Sequence, residues 1–300
     1  MDVFDKQIHK DDFRLRLLVT DGCNKNCYHC LNDFQPHPAD RIRLLNPTKA
    51  KRIIRDYCST VGHKAQVEFS GGEPGIYPYL NHLVSYAKEH GAFVKVNTNG
   101  MAFNWGIENF VDCWHIGVTC FDKELAKKVN NVRGQVQIVV TTEILNRIRY
   151  TVGQYGLHGI PVKLFVDFFA EGEDKRRIEQ EITTIIENYP SFNITTRYTG
   201  IQENRGVLCH GCAKKCITLK ALWVFPDGNV SPCPQGEVSR RAFDSSSIET
   251  ARDMHLTSQG GKRNKGTRGV LTAFDRPITP YSLQEQYIDR AKENKEGEVA

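Results

Sequence analysis

The chain has 300 residues, of which 40% are hydrophobic and 25% are charged, and its formal net charge is +5. These values exclude collagen-like, coiled-coil and wholly disordered proteins, and no stretch reaches the roughly 18–20 apolar residues of a membrane span. Because the charge is mild and residues 1–6 lack the basic and apolar pattern of an export signal, we expect a cytoplasmic protein without a membrane or nucleic-acid partner.

Up to about residue 167, short apolar runs alternate with helical patterns. The runs are rich in Val, Ile and Phe and are bounded by Gly, Asn or Asp, as strands are. This alternation predicts an α/β fold in which helices cover a parallel sheet, and six units predict an open or partial barrel rather than a closed eightfold one. The predicted strands are Phe13–Val19, Gln66–Phe69, Phe93–Asn97, His115–Cys120, Val136–Thr141 and Val162–Asp167.

Helical patterns lie between these strands and after the last of them. One helix opens at Asn46-Pro47-Thr48, where a capping side chain precedes a proline in the first turn. The others are Tyr79–Glu89, Glu143–Tyr150 and Lys175–Asn188, the last with an apolar stripe of Ile178, Ile182, Ile185 and Ile186. Since ligands of such folds bind at the carboxyl ends of the strands, we expect a site in the loops that follow them.

The pattern changes after Tyr189. Residues 209–233 are cysteine-rich and include a predicted hairpin, in which Pro226-Asp227-Gly228-Asn229 joins two short strands. Residues 259–269 are Gly-rich and basic, and residues 293–300 are charged. We therefore predict an N-terminal lead (1–12), a core (13–190), a cysteine-rich region (191–258) and a basic loop with a tail (259–300).

The composition is unusual in its ten cysteines, and seven of them lie in two groups. Cytosolic thiols stay reduced, so clustered cysteines more often bind metal or do chemistry. The first group, Cys23, Cys27 and Cys30, directly follows the first predicted strand. Structural zinc prefers four protein ligands, so three thiolates favour an iron–sulfur cluster with one open iron; zinc with His29 as a fourth ligand is the alternative.

A second motif, Ser70-Gly71-Gly72-Glu73-Pro74, follows the second predicted strand. Its two glycines allow the backbone to approach a ligand closely, and Glu73 offers an acceptor for an ammonium group. Alone, Gly-Gly-Glu-Pro usually marks a turn. Here the motif follows the next strand after a Cys-x3-Cys-x2-Cys loop, and this combination strongly indicates a ligand site.

Together the two motifs resemble those of the radical S-adenosylmethionine (SAM) enzymes, over about residues 13–167. The resemblance implies a partial (β/α)6 radical SAM barrel in which a 4Fe-4S cluster is bound by Cys23, Cys27 and Cys30 and its fourth iron is chelated by SAM. It further implies cofactor contacts from His29 beside the adenine, from Gly71, Gly72 and Glu73 at the methionine amino group, from Asn97 and Asn99 after the third strand, and from Thr119 or Cys120 after the fourth.

The reaction that the resemblance implies begins with an electron from an external reductant of the flavodoxin or ferredoxin type. Reductive cleavage of SAM then yields a 5′-deoxyadenosyl radical, which abstracts hydrogen from a substrate. The chain has no Gly-x-Ser-x-Gly, His-Glu-x-x-His or Walker motif, which agrees with this chemistry. We expect oxidative or bond-forming modification of a peptide, a sugar or another small molecule. The short lead leaves no room for a peptide-recognition domain, which lowers the peptide option.

The second cysteine group consists of Cys209, Cys212, Cys216 and Cys233. Four such thiols can hold either a cluster or a structural zinc. Beside the first motif, the segment is similar to the SPASM or twitch extensions of radical SAM enzymes, which implies one auxiliary 4Fe-4S cluster. The alternative within the family is a molybdenum-cofactor-type radical cyclisation enzyme, in which three cysteines bind and one iron stays open to the substrate.

An alternative from another class is a non-catalytic zinc or iron–sulfur scaffold that binds nucleic acid through the basic residues of the 262–268 segment. This interpretation leaves the Gly71–Pro74 motif unexplained, and we therefore expect an enzyme.

Overall fold

A computed structural model describes residues 13–27, 29–30, 42–167, 170–197, 221–231, 241–244, 246–249 and 251–252. Within them, one sheet contains ten strands. These are β1 (Arg14–Leu18), β2 (Gln66–Ser70), β3 (Phe93–Thr98), β4 (Cys113–Gly117), β5 (Gly134–Val140), β6 (Val162–Val166), β7 (Ile194–Arg197), β8 (Ala221–Val224), β9 (Asn229–Ser231) and β10 (Arg241–Ala242).

The order across the sheet is β10-β9-β8-β1-β2-β3-β4-β5-β6-β7. Every pair from β8 through β1 to β7 is parallel, whereas β9 and β10 join the β8 edge in antiparallel pairs. This is the mixed α/β architecture of a partial barrel, and it confirms the predicted fold class.

The helices that connect these strands are α1 (Pro47–Val61), α2 (Leu80–Glu89), α3 (Lys123–Asn130), α4 (Leu145–Leu157) and α5 (Gly172–Asn188). Asn46 caps α1 as predicted, since its side-chain oxygen accepts from the Lys49 amide at 3.0 Å. No helix among the described residues combines the length and the apolar character needed to cross a lipid bilayer.

The two faces of the sheet differ sharply in chemistry. On one face, fully buried side chains such as Leu15, Phe69 and Trp114 pack with the apolar stripes of the helices in one large core. The alternate positions of the same strands form what we call the inner face, which is polar. Its polar and charged members are Arg14 and Arg16 of β1, Glu68 of β2, Lys95 and Asn97 of β3, His115 of β4, Gln135 and Gln137 of β5 and Lys163 of β6.

The sheet extends beyond the six predicted strands. In the structure, β7 pairs with β6, and β8 pairs with β1 at the opposite edge. The predicted hairpin is confirmed, because β8 and β9 are antiparallel and Gly228 turns between them with a φ of 78°. The sequence assigns β7 and β8 to the C-terminal region, whereas here both strands lengthen the core sheet. The division of the chain at residue 190 stays a prediction.

Three local predictions need correction. The strand predicted over His115–Cys120 is β4, which covers Cys113–Gly117; its pairing with β3 ends at Ile116 and its pairing with β5 at Gly117. The helix α3 has no predicted counterpart, since it is short and buries only two side chains. Ile186 is 36% exposed, because it lies about 100° round the helix from the fully buried Ile185.

Candidate active site

The first cysteine group lies in a loop at the carboxyl end of β1, and this loop is anchored on both sides. The Val19 amide donates to the Ser70 carbonyl oxygen at 2.9 Å, and the Leu45 amide donates to the Val19 carbonyl oxygen at 2.9 Å. The buried carboxylate of Asp21 accepts from the Arg43 amide at 2.7 Å and from its Nε at 2.6 Å. These bonds hold the start of the loop, at Val19 and Asp21, beside its end, at Arg43 and Leu45.

The three thiols Cys23, Cys27 and Cys30 are partly buried. A tight turn joins the last two, since the Cys30 amide donates to the Cys27 carbonyl oxygen at 3.0 Å. Burial raises the pKa of Cys23 and Cys27, and the charges of neighbouring cysteines act in the same direction. Within the described ranges, no three His, Cys, Asp or Glu side chains converge closely enough to hold a metal ion as they stand.

The Gly-Gly-Glu segment packs directly against the start of the cysteine loop. The Gly72 amide donates to the Thr20 carbonyl oxygen and the Glu73 amide to that of Gly22, both at 2.8 Å. A Cβ on Gly72 would lie 1.9 Å from the Gly22 carbonyl oxygen. Gly71 has a φ of 136°, and a Cβ there would lie 2.4 Å from the Thr20 oxygen. The two glycines are therefore required for this contact.

The carboxylate of Glu73 is 1% exposed and joins its own turn to the end of β3. It accepts from the Gly75 amide at 2.9 Å, from the Thr98 hydroxyl at 2.6 Å and from the Asn99 amide at 2.7 Å. Burial raises its pKa, and these three donors oppose the shift. The Asn99 side chain in turn donates to Asn24 of the cysteine loop at 2.7 Å, so both predicted motifs and Asn99 meet at one edge of the sheet.

The remaining predicted cofactor contacts lie around this edge. Burial lowers the pKa of His29, and the charge of Glu143, in the turn after β5, opposes this shift. Thr119 is exposed just beyond β4. Asn97 faces inward, and its amide contacts Glu68 and His115. Cys209, Cys212, Cys216 and Cys233 lie outside the described residues, as do the lead and residues 253–300.

A family model described as the Radical SAM superfamily matches residues 17–168, which is half of the chain and includes both motifs. The chain belongs to the radical SAM superfamily. The match runs from β1 to just beyond β6 and covers the edge at which the cysteine loop, Glu73 and Asn99 meet. The protein is therefore a radical SAM enzyme, and the non-catalytic scaffold is set aside.

Solved structures share the fold of this radical SAM enzyme at low sequence identity. Streptococcus suis SuiB bound to S-adenosylmethionine has a TM-score of 0.57 and 15% identity, over 87% of this chain and 72% of that one. Native anSMEcpe with bound AdoMet has a TM-score of 0.56 and 15% identity, over 88% and 84%. Native anSMEcpe with bound AdoMet and Cp18Cys peptide has a TM-score of 0.56 and 12% identity, over 96% and 98%.

A polar network on the inner face of the enzyme was missed by sequence reasoning. Arg14 and Arg16 of β1 form ion pairs with Glu68 at 3.4 and 2.9 Å, and they hold the pKa of this carboxyl well below its usual range despite its burial. The signal that could have found the network is charged residues at every second position of the strands, where a parallel sheet covered by apolar helices on both faces would be apolar throughout.

Proposed function

We propose that this enzyme cleaves SAM reductively and abstracts hydrogen from a substrate, in an oxidative or bond-forming modification of a peptide, a sugar or another small molecule. The observation that carries the proposal is the direct contact between Gly71–Glu73 and the start of the cysteine loop. This contact brings three thiols and a buried carboxylate to the carboxyl ends of β1, β2 and β3, where ligands of parallel sheets bind.

The donor set fits the groups that the family uses. Cys23, Cys27 and Cys30 would ligate a 4Fe-4S cluster, whose iron stabilises the thiolate forms that burial otherwise disfavours. A carboxylate has about four acceptor positions, and the described residues occupy three of those on Glu73, which leaves one for the methionine ammonium group. When bound and reduced, the cluster supplies the electron that cleaves SAM to methionine and a 5′-deoxyadenosyl radical.

The electron donor and the substrate belong to the same proposal. A flavodoxin- or ferredoxin-type protein would supply one electron at a time. A peptide among the substrate options is supported by the shared fold of anSMEcpe, whose solved structure contains a peptide.

Cys23→Ala is expected to remove the first cluster and abolish SAM cleavage, because a ligand of the cluster is lost. After anaerobic reconstitution, this variant should lose about four irons per chain and form no 5′-deoxyadenosine with dithionite. The matched control is Cys58→Ala, since Cys58 is buried in α1 outside both cysteine groups. Wild-type iron content and cleavage in Cys23→Ala would contradict the assignment.

We further propose that Cys209, Cys212, Cys216 and Cys233 bind an auxiliary 4Fe-4S cluster. The hairpin that precedes Cys233 supports this proposal, because it sets β8 beside β1, the strand that leads into the first cysteine loop. The alternative is a cyclisation enzyme of the molybdenum-cofactor type, with three cysteines on the cluster and one iron open to the substrate.

Cys212→Ala combined with Cys216→Ala is expected to lower the iron content from about eight to about four per chain, because the two remaining thiols cannot hold a cluster that three still could. SAM cleavage should persist, because the first cluster keeps its three ligands. Iron and sulfide analysis together with Mössbauer spectra would measure both quantities. About four irons already in the wild type, accompanied by zinc, would overturn the auxiliary cluster and leave the first cluster unaffected.

A further inference from the structure

The inner face of the sheet carries a row of hydrogen-bonded polar side chains below the cysteine loop. Glu68, Asn97 and His115 stand on the adjacent strands β2, β3 and β4. The Glu68 side chain is 4% exposed, and the guanidinium of its partner Arg16 lies 4.5 Å from the ring centre of Trp223. Ion pairing with two arginines keeps this carboxylate ionised.

The hydrogen bonds along this row determine which nitrogen of His115 carries the proton. An ionised carboxylate only accepts, so the Asn97 group that contacts Glu68 is its NH2 group. The Asn97 oxygen therefore faces His115, whose Nδ1 lies 2.9 Å away and donates to it. This leaves Nε2 of His115 without a hydrogen, as an acceptor.

His115 is also neutral, because burial lowers its pKa to about 3. No donor among the residues that the structure describes contacts its Nε2. An acceptor oriented through two neighbours, with its lone pair unused, is what recognition of a hydroxyl or amine donor requires.

Positive charge surrounds this acceptor. Lys95 and Lys163 are both close enough to lower the pKa of His115 further. Lys163 Nζ lies 5.9 Å from the ring centre of Phe165, the next inner-face residue towards the strand ends. Within the described part of the chain, no carboxylate lies within 4 Å of Lys163 Nζ. Within β1 to β6 the inner face thus has four cationic side chains and one carboxylate, which already pairs with two arginines. A second carboxylate, that of the buried Asp167, follows directly after β6.

The row lies a short distance below the strand ends at which the cysteine loop and Glu73 meet. His115 is two residues before Gly117, the last residue of β4, which corresponds to about 7 Å at the rise of a strand. A small molecule anchored at His115 and Lys163 would therefore extend to the edge where Glu73 and the cysteine loop meet.

We propose that the inner face binds the substrate, and that the substrate presents an anionic group to Lys163 beside a hydroxyl or amine donor that His115 Nε2 accepts. This inference rests on the proposed function, because it specifies the substrate class of the same active site.

The test compares ribose 5-phosphate with ribose, which differ only in the anionic group, by calorimetry on the reconstituted enzyme with SAM. We expect ribose 5-phosphate to bind at least about tenfold more tightly. Lys163→Met should remove this preference and Lys163→Arg should keep it. His115→Phe should weaken binding of both sugars by about tenfold, since it removes the acceptor and keeps a ring of similar size. The control is Lys127→Met on the surface of α3, which should bind like the wild type.

Equal affinities for the two sugars in the wild type, or an unchanged preference in Lys163→Met, would overturn the inference. If the proposed function is wrong, the wild-type enzyme will form no 5′-deoxyadenosine with SAM and dithionite. The two failures are therefore distinguishable, because one concerns sugar binding and the other concerns SAM cleavage.

Discussion

Gly72→Ala is expected to abolish SAM cleavage while leaving the chain folded. The added Cβ would lie 1.9 Å from the carbonyl oxygen and 2.5 Å from the carbonyl carbon of Gly22, and backbone atoms cannot move aside as a flexible side chain can. The cysteine loop and the Gly-Gly-Glu segment must then separate, and the hydrogen bonds from Gly72 and Glu73 are lost. We expect a loss of stability of about 1–3 kcal/mol, as for other overpacked sites. 5′-Deoxyadenosine formation after reconstitution measures the main effect.

The control for this variant is Gly91→Ala. Gly91 has a φ of 75°, and a Cβ there meets no atom within 4 Å. This change should cost about 1 kcal/mol of backbone strain and leave SAM cleavage at the wild-type rate. Wild-type cleavage in Gly72→Ala would show that the contact between the loops is not needed for the reaction.

Glu68→Gln is expected to have the largest effect on stability. The substitution keeps the shape of the side chain but leaves the guanidinium groups of Arg14 and Arg16 without a negative partner on a largely buried face. Breaking a buried ion pair from one side costs roughly 3–5 kcal/mol, and we expect the lower end because both arginines keep some exposure. Urea denaturation followed by circular dichroism gives the difference in unfolding free energy.

The pH dependence of the stability difference between wild type and Glu68→Gln tests whether the ion pair is its cause. The pKa of Glu68 lies well below its ordinary value of 4.5, so its ionised form stabilises the folded state above about pH 4.5. That contribution is lost as the pH falls through the folded-state pKa, and the gap between wild type and Glu68→Gln should narrow in acid. Glu124→Gln, from the exposed pair with Lys127, should change stability by less than about 0.5 kcal/mol. An equal gap at pH 3 and pH 7 would exclude the ion pair as its source.

Much of the fold could be predicted because its signals are local. The strand β2 and the capped start of α1 follow from residues adjacent in the sequence, and both are confirmed. The ends of β4 depend on other strands, since its first residue, Cys113, pairs with β3 and its last, Gly117, pairs with β5. The segment 113–120 alternates apolar residues with His115, Gly117 and Thr119 and contains no sign of where that pairing stops.

The meeting of the two motifs at one edge of the sheet was predictable for a different reason, namely that each motif directly follows a predicted strand. The sequence singles out Gly72 and Glu73 by their motif, but the carbonyl oxygen that requires a glycine at position 72 belongs to Gly22 of another loop. The inner-face network is harder to predict from the sequence, because Glu68, Asn97 and His115 meet only through the order and register of three strands.

The pairing of β1 with β8 has a consequence for the order of events during synthesis. Arg14 lies beside Ala221, so the strand that leads into the cysteine loop gains its second neighbour only after roughly two hundred further residues. At about 5–20 residues per second, this takes on the order of ten seconds or more on the ribosome. Until then β1 is an open edge with unpaired amides, and Leu18 lacks the cover of Trp223 and Phe225. Truncation before residue 221 would therefore leave β1 as a permanently open edge and the core prone to aggregation.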